Sequence, residues 1–345
     1  MINLCSRQAA GVPSPEWTNW KWQVKHSACS LAQLSKWIVL PLKERQVIRQ
    51  VAERYPFKIT PHYLSLARKP SLSDPILKQC LPGFGEFQAF SGESPDPFRE
   101  MEQAPVPGLI RRYRDRALVL ASNHCAVLCR HCFRKRLWHE PGRPLNNKDL
   151  GRIVEYLSAN PEIREIIVSG GDPLMLEDDA LENLLGGLRQ ARNIDVIRIA
   201  TRLPATLPQR ITDDLCRTIA RHSPVWIATH FNHPYELNQA SAAACRKLTL
   251  SGVPIVSQTV LLQGINDDFQ ILRDLFTGLL KIQVKPYYMF HGDPASGTMH
   301  FRVSVERGRK LMRQLRNETS GLAIPLYAAD KPGADCKVPL EVQTS

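Results

Sequence analysis

From about Arg116 onward, short apolar runs rich in β-branched residues alternate with stretches whose apolar positions recur at three and four residues. The runs Ala117–Leu120, Ile166–Ser169, Val196–Ala200, Val225–Thr229, Ile255–Val260 and Val284–Tyr288 are four to six residues long, the length of a buried strand. Helical spacing follows each of them: Ile153, Val154 and Leu157; Leu181, Leu184, Leu185 and Leu188; Leu215 and Ile219; Leu237, Ala240, Ala244 and Leu248; Phe269, Leu272, Phe276 and Leu279; Leu311, Met312 and Leu315. Strands alternating with helices predict an α/β fold with a parallel sheet, because a parallel neighbour is reached only through a crossover. Six such units fall short of the eight that close a full barrel, so the pattern predicts a partial, open (β/α)6 barrel.

The first hundred residues have another texture. Glu16 to Trp22 holds three tryptophans, an aromatic anchor for an arm on the main body. Pro41 to Tyr55 predicts a helix with Ile48, Val51 and Tyr55 on one stripe, broken by Pro56. Phe90 to Pro107 is rich in Pro, Glu and Asp and reads as a linker wrapping the body. The expected organisation is a helical arm and linker over 1–110, the barrel over 111–320 and a short C-terminal segment over 321–345.

Composition narrows the function classes. With 43% hydrophobic residues, the 345-residue chain can bury a substantial core, yet nothing approaches the roughly 18 uninterrupted apolar residues of a membrane span. Met1 to Gly11 lacks the basic-then-apolar layout of a secretory signal, so a cytoplasmic protein with no membrane contact is expected. The nine cysteines are an odd count spread over a long chain, which argues against a disulfide framework and for a reducing compartment. Cys5, Cys29, Cys80, Cys216 and Cys245 are isolated and read as ordinary core or surface residues. A net charge of +12 can mark a nucleic-acid binder, but the basic residues are dispersed, with local density at Arg111–Arg116 and Arg130–Arg136. Both clusters flank one cysteine motif and suit small anionic ligands, a phosphate and carboxylates; no nucleic-acid partner is expected, an RNA-modifying enzyme being the rival reading.

That motif is Cys125-Ala-Val-Leu-Cys129-Arg-His-Cys132, directly after the first predicted strand. Barrel chemistry sits in loops at the carboxyl ends of strands, and this is such a loop. Three thiolates at offsets of four and three can wrap one iron–sulfur cube and leave its fourth iron without a protein ligand. A closed zinc site takes four Cys or His ligands, and His131, adjacent to Cys132, is poorly placed to be the fourth. His131 therefore reads as a supporting residue. Ser169-Gly170-Gly171-Asp172-Pro173 follows the second strand, where paired glycines let the backbone approach a ligand and the carboxylate can accept from an ammonium. Thr229 to Pro234 ends the fourth strand and Gln258 lies in the fifth, bringing polar groups to the same mouth.

The spacing C-x3-C-x2-C resembles that of the radical S-adenosylmethionine (radical SAM) enzymes, and the wider chain resembles the lysine 2,3-aminomutase family. The resemblance runs through Trp17-Thr18-Asn19-Trp20-Lys21-Trp22-Gln23, Ile59 to Leu66, Pro105 to Leu109, Cys129-Arg130-His131-Cys132, Ser169 to Asp172, Thr229 to Pro234, Lys285-Pro286-Tyr287-Tyr288, His300-Phe301-Arg302 and Thr319-Ser320-Gly321. It implies a radical SAM barrel that uses a [4Fe-4S] cluster, S-adenosylmethionine and pyridoxal 5′-phosphate to move an amino group from the α to the β carbon of lysine. Residue by residue, it implies that Cys125, Cys129 and Cys132 hold the cluster. Gly170, Gly171 and Asp172 receive the methionine end of S-adenosylmethionine, with His230 and Gln258 near its nucleoside. Lys337 holds pyridoxal phosphate covalently, with Arg112, Tyr113 and Arg116 near its ring and phosphate. Arg134 clamps the substrate α-carboxylate, and Asp293 and Asp330 receive the distal ammonium. An electron donor such as flavodoxin or ferredoxin and a homo-oligomeric state are expected with it.

Two departures bear on this. Lys331-Pro332-Gly333-Ala334-Asp335-Cys336 stands where many members have a run of glycines before the cofactor lysine. The sequence stops at Ser345 without the cysteine-bearing extension of longer members, so no structural zinc is expected, and its length is similar to that of the branch making (R)-β-lysine for elongation factor P. That branch, or an aminomutase for arginine or another amino acid, stays open as an alternative.

Overall fold

A computed structural model describes residues 15–139 and 145–341; the expectations on Met1 to Gly11 and on Cys5 lie outside the described residues. Each apolar run forms a strand: β2 (Arg116–Ser122), β3 (Glu165–Gly170), β4 (Val196–Thr201), β5 (Val225–Thr229), β6 (Ile255–Leu261) and β7 (Lys285–His291). A two-residue strand, β1 (Leu109–Ile110), precedes them, and β8 (Leu326–Ala329) and β9 (Val338–Pro339) follow. The sheet order is sequential, with β2 to β8 all parallel and β1 and β9 antiparallel at the two edges. The edges do not pair with each other, so the barrel is open. The sequence pattern stops at six strands; β8 adds a seventh parallel one, missed because four residues beside Pro325 carry too little periodicity to read.

The helices of the pattern also form. In the arm, α1 (Leu42–Arg54) buries Ile48 and Val51. Around the barrel run α2 (Asn147–Ala159), α3 (Asp178–Leu188), α4 (Asp213–Arg221), α5 (Gln239–Leu250), α6 (Phe269–Lys281) and α7 (Val305–Glu318). Side-chain caps fix where several begin: Asn146, Thr212, Asn238, Asp268 and Ser304 accept from otherwise orphaned backbone N–H groups of the first turns. Leu181, Leu184, Leu185 and Leu188 of α3, with Leu272, Leu275, Phe276 and Leu279 of α6, pack on the outward sheet face in one continuous core.

Side chains alternate across each strand. In β4, Ile197, Ile199 and Thr201 are buried, while Arg198 and Ala200 line an internal cavity. The inward positions are thus partly accessible, the signature of a barrel that holds a chamber rather than a filled core. The arm has its own core, built on Ile48, Phe57, Ile59, Tyr63, Leu64, Ile76 and Leu77, into which Val127 of the cysteine loop inserts. Trp20 packs against the barrel core under Arg210, whose guanidinium lies 4.9 Å from its ring. The stretch expected to be a linker is tied down at Ser94, which bridges to Ala295, and at Glu100.

Candidate active site

The chamber has a volume of about 500 Å³ and runs along the inner face of the sheet, from Arg116, Glu165 and Arg198 near the starts of their strands to the cysteine loop at the carboxyl end of β2. Its wall includes Cys125, Cys129 and Cys132, then Gly170, Gly171 and Asp172, His230, Gln258, Asp293, Asp330 and Lys337, with Arg112, Tyr113, Arg116 and Arg134 on the side of β2. All fifteen residues singled out in the sequence therefore meet in one cavity. The local geometry explains how.

The cysteine loop leaves β2 and is pinned from two sides. Leu128 N–H donates to Lys58 O at 3.0 Å and Arg130 N–H to Gln79 O at 2.8 Å, both in the arm. Arg130 is fully buried, and its guanidinium bonds Glu86 and the carbonyls of Tyr55 and Pro56. The three thiols are free, and burial raises the pKa of Cys132 to about 11. Among the described residues no three Cys, His, Asp or Glu side chains converge as one metal ion requires. A cube is bound through separate irons and needs thiols spread around it, which suits this arrangement.

The paired glycines do something the sequence reading did not assign. Gly171 N–H donates to Ser122 O at 2.5 Å and Asp172 N–H to His124 O at 2.7 Å, so the β3 turn lies directly on the loop leading to Cys125. A Cβ on Gly170, whose φ is +129°, would sit 2.1 Å from Ser122 O, and one on Gly171 2.5 Å from His124 O. Only glycine fits at this backbone crossing. The Asp172 carboxylate is already engaged by Thr201 Oγ1 at 2.7 Å and the backbone N–H groups of Arg202 and Leu174, and burial raises its pKa to about 6.

Free polar capacity lies elsewhere on the wall. Among the described residues the buried His230 Nε2, His131 Nδ1 and Thr229 Oγ1 have no hydrogen-bond partner, and burial lowers the pKa of His230 to about 3, so its ring is neutral. The residues that carry these atoms line a chamber large enough for a nucleoside, with the atoms themselves just beneath its surface. Gln258, opposite Tyr288 in the β6–β7 ladder, points the same way. His131, expected in a supporting role, contacts Asn232 at 3.3 Å and stacks edge-on to His230.

At the far wall, Lys337 pairs with Asp330, which also accepts from Tyr113 Oη at 2.7 Å and Arg112 Nη2 at 3.3 Å. Burial alone would raise the Asp330 pKa, but Lys337, Tyr113 and Arg112 together bring it below its usual value. Lys337 is lowered, by burial first, with Asp330 opposing. Asp293 has no ion pair or side-chain hydrogen bond among the described residues. Burial, then the neighbouring charge of Asp330, raises its pKa to about 7. Phe290 and Tyr113 flank the Lys337 ammonium at 5.2 and 5.7 Å. Among the described residues the Arg116 guanidinium bonds only its exposed neighbour Asp115, at 2.7 Å, leaving most of its fork for an anion.

Arg134 is buried and held by Glu100, with Nε at 3.0 and 3.1 Å from the two carboxylate oxygens and Nη2 at 2.6 Å from one; Nη1 donates to Ser169 at 3.2 Å. The outer edge of its fork remains for a ligand carboxylate. Sequence reading missed Glu100, which lies in a Pro-rich stretch with no periodicity, and Arg202, whose position at the end of β4 was a usable signal. It likewise missed Glu236, which fixes Asn232 and His233 through their N–H groups.

An open parallel barrel with three thiols on its first strand-end loop defines a radical SAM protein, and the profile of the Radical SAM superfamily matches residues 119–276. Relatives cover nearly all of the chain. A putative L-lysine 2,3-aminomutase of Aquifex aeolicus is 40% identical over 95% of this chain and 89% of its own. An L-lysine 2,3-aminomutase of Escherichia coli is 33% identical over 96% of each, and a glutamate 2,3-aminomutase of Clostridioides difficile is 41% identical over 94% of this chain and 77% of its own. The chain belongs to the lysine 2,3-aminomutase family and is an isomerase. The family's cofactors are a [4Fe-4S] cluster, S-adenosylmethionine and pyridoxal phosphate.

Proposed function

We propose that this enzyme moves the amino group of L-lysine from C2 to C3, giving β-lysine. The observation that carries the reading is the pair of carboxylates, Asp293 and Asp330, at the end of the chamber that also holds Lys337. An ammonium is costly to strip of water unless paired, and two carboxylates offset that cost while repelling a side chain that ends in an acid. That charge pattern favours lysine over glutamate, although the relatives include an enzyme for each.

The other residues divide the remaining work. When bound, the cluster supplies the electron that opens S-adenosylmethionine, and pyridoxal phosphate supplies a π system that stabilises the migrating group. Cys125, Cys129 and Cys132 would hold the cluster, and the Gly170-Gly171 turn, His230 and Gln258 would flank S-adenosylmethionine. Lys337 is the attachment point for pyridoxal phosphate that the resemblance implies, and it lies on the chamber wall between Tyr113 and Phe290 with Asp330 at its amine. Arg116 receives the phosphate, with Arg112 and Tyr113 beside it. Arg134, oriented by Glu100, binds the α-carboxylate and fixes C2 and C3 relative to the reacting groups. While Lys337 carries pyridoxal phosphate it does not pair with Asp330 as an ammonium, so Asp330 and Asp293 together would meet the distal ammonium of the arriving substrate. The basic surface suits a small acidic electron donor of the flavodoxin or ferredoxin type.

The test is anaerobic turnover of lysine, arginine, ornithine and glutamate by wild type, Asp293→Asn and Asp330→Asn. Truncating a buried charged partner costs about 2 kcal/mol or more, so each variant should lose about 30-fold or more in kcat/KM for lysine. Glutamate as the best wild-type substrate, or lysine turnover untouched in both variants, would refute the reading.

A further inference from the structure

Arg202 connects the cysteine loop to three other parts of the molecule. Its Nη1 donates to Cys129 Sγ at 2.8 Å, while the two N–H groups of Nη2 are shared among Tyr63 Oη at 2.9 Å, Gln79 Oε1 at 2.6 Å and Glu236 Oε1 at 2.6 Å. Its backbone N–H donates to Asp172 at 2.8 Å. The side chain is 8% exposed and that of Glu236 is wholly buried. Glu236 is fixed in turn by Tyr63 Oη at 2.7 Å and by the N–H groups of Asn232 and His233 at 2.5 and 3.0 Å. A planar fork whose other partners are locked cannot swing away from the sulfur. The contact with Cys129 is therefore built in.

We propose that Arg202 is a positioning residue that sets the reduction potential of the [4Fe-4S] cluster through its bond to Cys129. The inference rests on family membership and on the cysteine ligands, and is independent of which amino acid is rearranged. Reduction adds one electron from the external donor, and the cluster with its three thiolates becomes one unit more negative. A cation donating a hydrogen bond to a ligating sulfur stabilises the reduced form more than the oxidised form, and burial strengthens the effect. Arg202 thus raises the potential towards one that a biological donor can reach. Glu236, on the same guanidinium, offsets part of its charge and so acts with the opposite sign. This sign reversal separates an electrostatic role from a purely structural one.

The experiment is EPR-monitored potentiometry of the reconstituted cluster in wild type, Arg202→Gln, Arg202→Lys and Glu236→Gln, with dithionite as electron source and no S-adenosylmethionine or substrate. Iron and sulfide content is measured alongside. In Arg202→Gln the equilibrium for reduction should fall about tenfold, which for a one-electron couple is about 59 mV more negative. Arg202→Lys, which keeps the charge and loses the fork, should fall by less, and Glu236→Gln should shift the potential upward. Should Arg202→Gln hold no cluster, the comparison of Arg202→Lys with Glu236→Gln decides. Potentials equal to wild type in the variants that hold a cluster, or shifts of the same sign in the Arg202 and Glu236 variants, would overturn the proposal.

Discussion

Asp293 shows how far a single residue's chemistry depends on what surrounds it. Its pKa is raised from 3.8 to about 7, so the folded protein favours the protonated acid. The stability this group contributes is present below its unfolded value and is lost as pH rises towards 7. Function runs the other way, because receiving an ammonium needs the carboxylate. For lysine, kcat/KM should therefore rise with pH through about 7. In Asp293→Asn that limb should vanish. A pH–rate profile without such a limb in the wild type would contradict the role. Lys337→Ala should keep its iron and sulfide but lose covalent pyridoxal phosphate, as read by borohydride reduction and peptide mapping; reduced pyridoxyl on another lysine would move the site. Cys129→Ala should lose the cluster, whereas Cys216→Ala, in the buried face of α4, should retain it. The cysteines were legible because their spacing is itself the chemistry. Lys337 was reached only by resemblance, since nothing local distinguishes it from a solvated lysine. Glu100 and Glu236 were illegible because their partners, Arg134 and Arg202, are 34 residues away in sequence.

The elements were legible wherever periodicity was strong. β5 matches its apolar run end to end, and the buried face of α3 is the predicted one. β1, β8 and β9 are two to four residues long and leave no pattern to read. The turn after β3 was read as a place for close ligand approach, yet its glycines first allow β3 to lie on the backbone of Ser122 and His124. Gly170→Ala adds left-handed strain and a backbone clash, together worth about 2 kcal/mol or more. It should lower the denaturation midpoint and the cluster content together. Gly151→Ala, in α2 with open space around its Cβ, should be neutral or slightly stabilising. Equal midpoints for the two variants in chemical denaturation would contradict this account of the turn. The strap around Glu100 makes a separate prediction. Glu100→Ala frees the Arg134 fork, so KM for the amino acid should rise more than kcat falls in steady-state assays.

For the whole molecule, the arginines of the chamber are offset within it and so do not account for the +12 charge. Arg112, Arg134, Arg198 and Arg202 all line it and all pair with carboxylates, Asp330, Glu100, Glu165 and Glu236. No helix among the described residues is long and apolar enough to cross a membrane. A sequence shows the number of such charges but not their pairing, which is why net charge alone left an RNA-modifying enzyme as a rival. This chamber is proposed to shift the α-amino group of lysine by one carbon. The most direct measurement supplies the reduced, reconstituted enzyme with S-adenosylmethionine, pyridoxal phosphate and lysine carrying nitrogen-15 at the α position, then locates the label by NMR. The expected product is β-lysine with the label bound to C3. Unchanged lysine, a label lost to solvent, or rearrangement of glutamate in its place would contradict it.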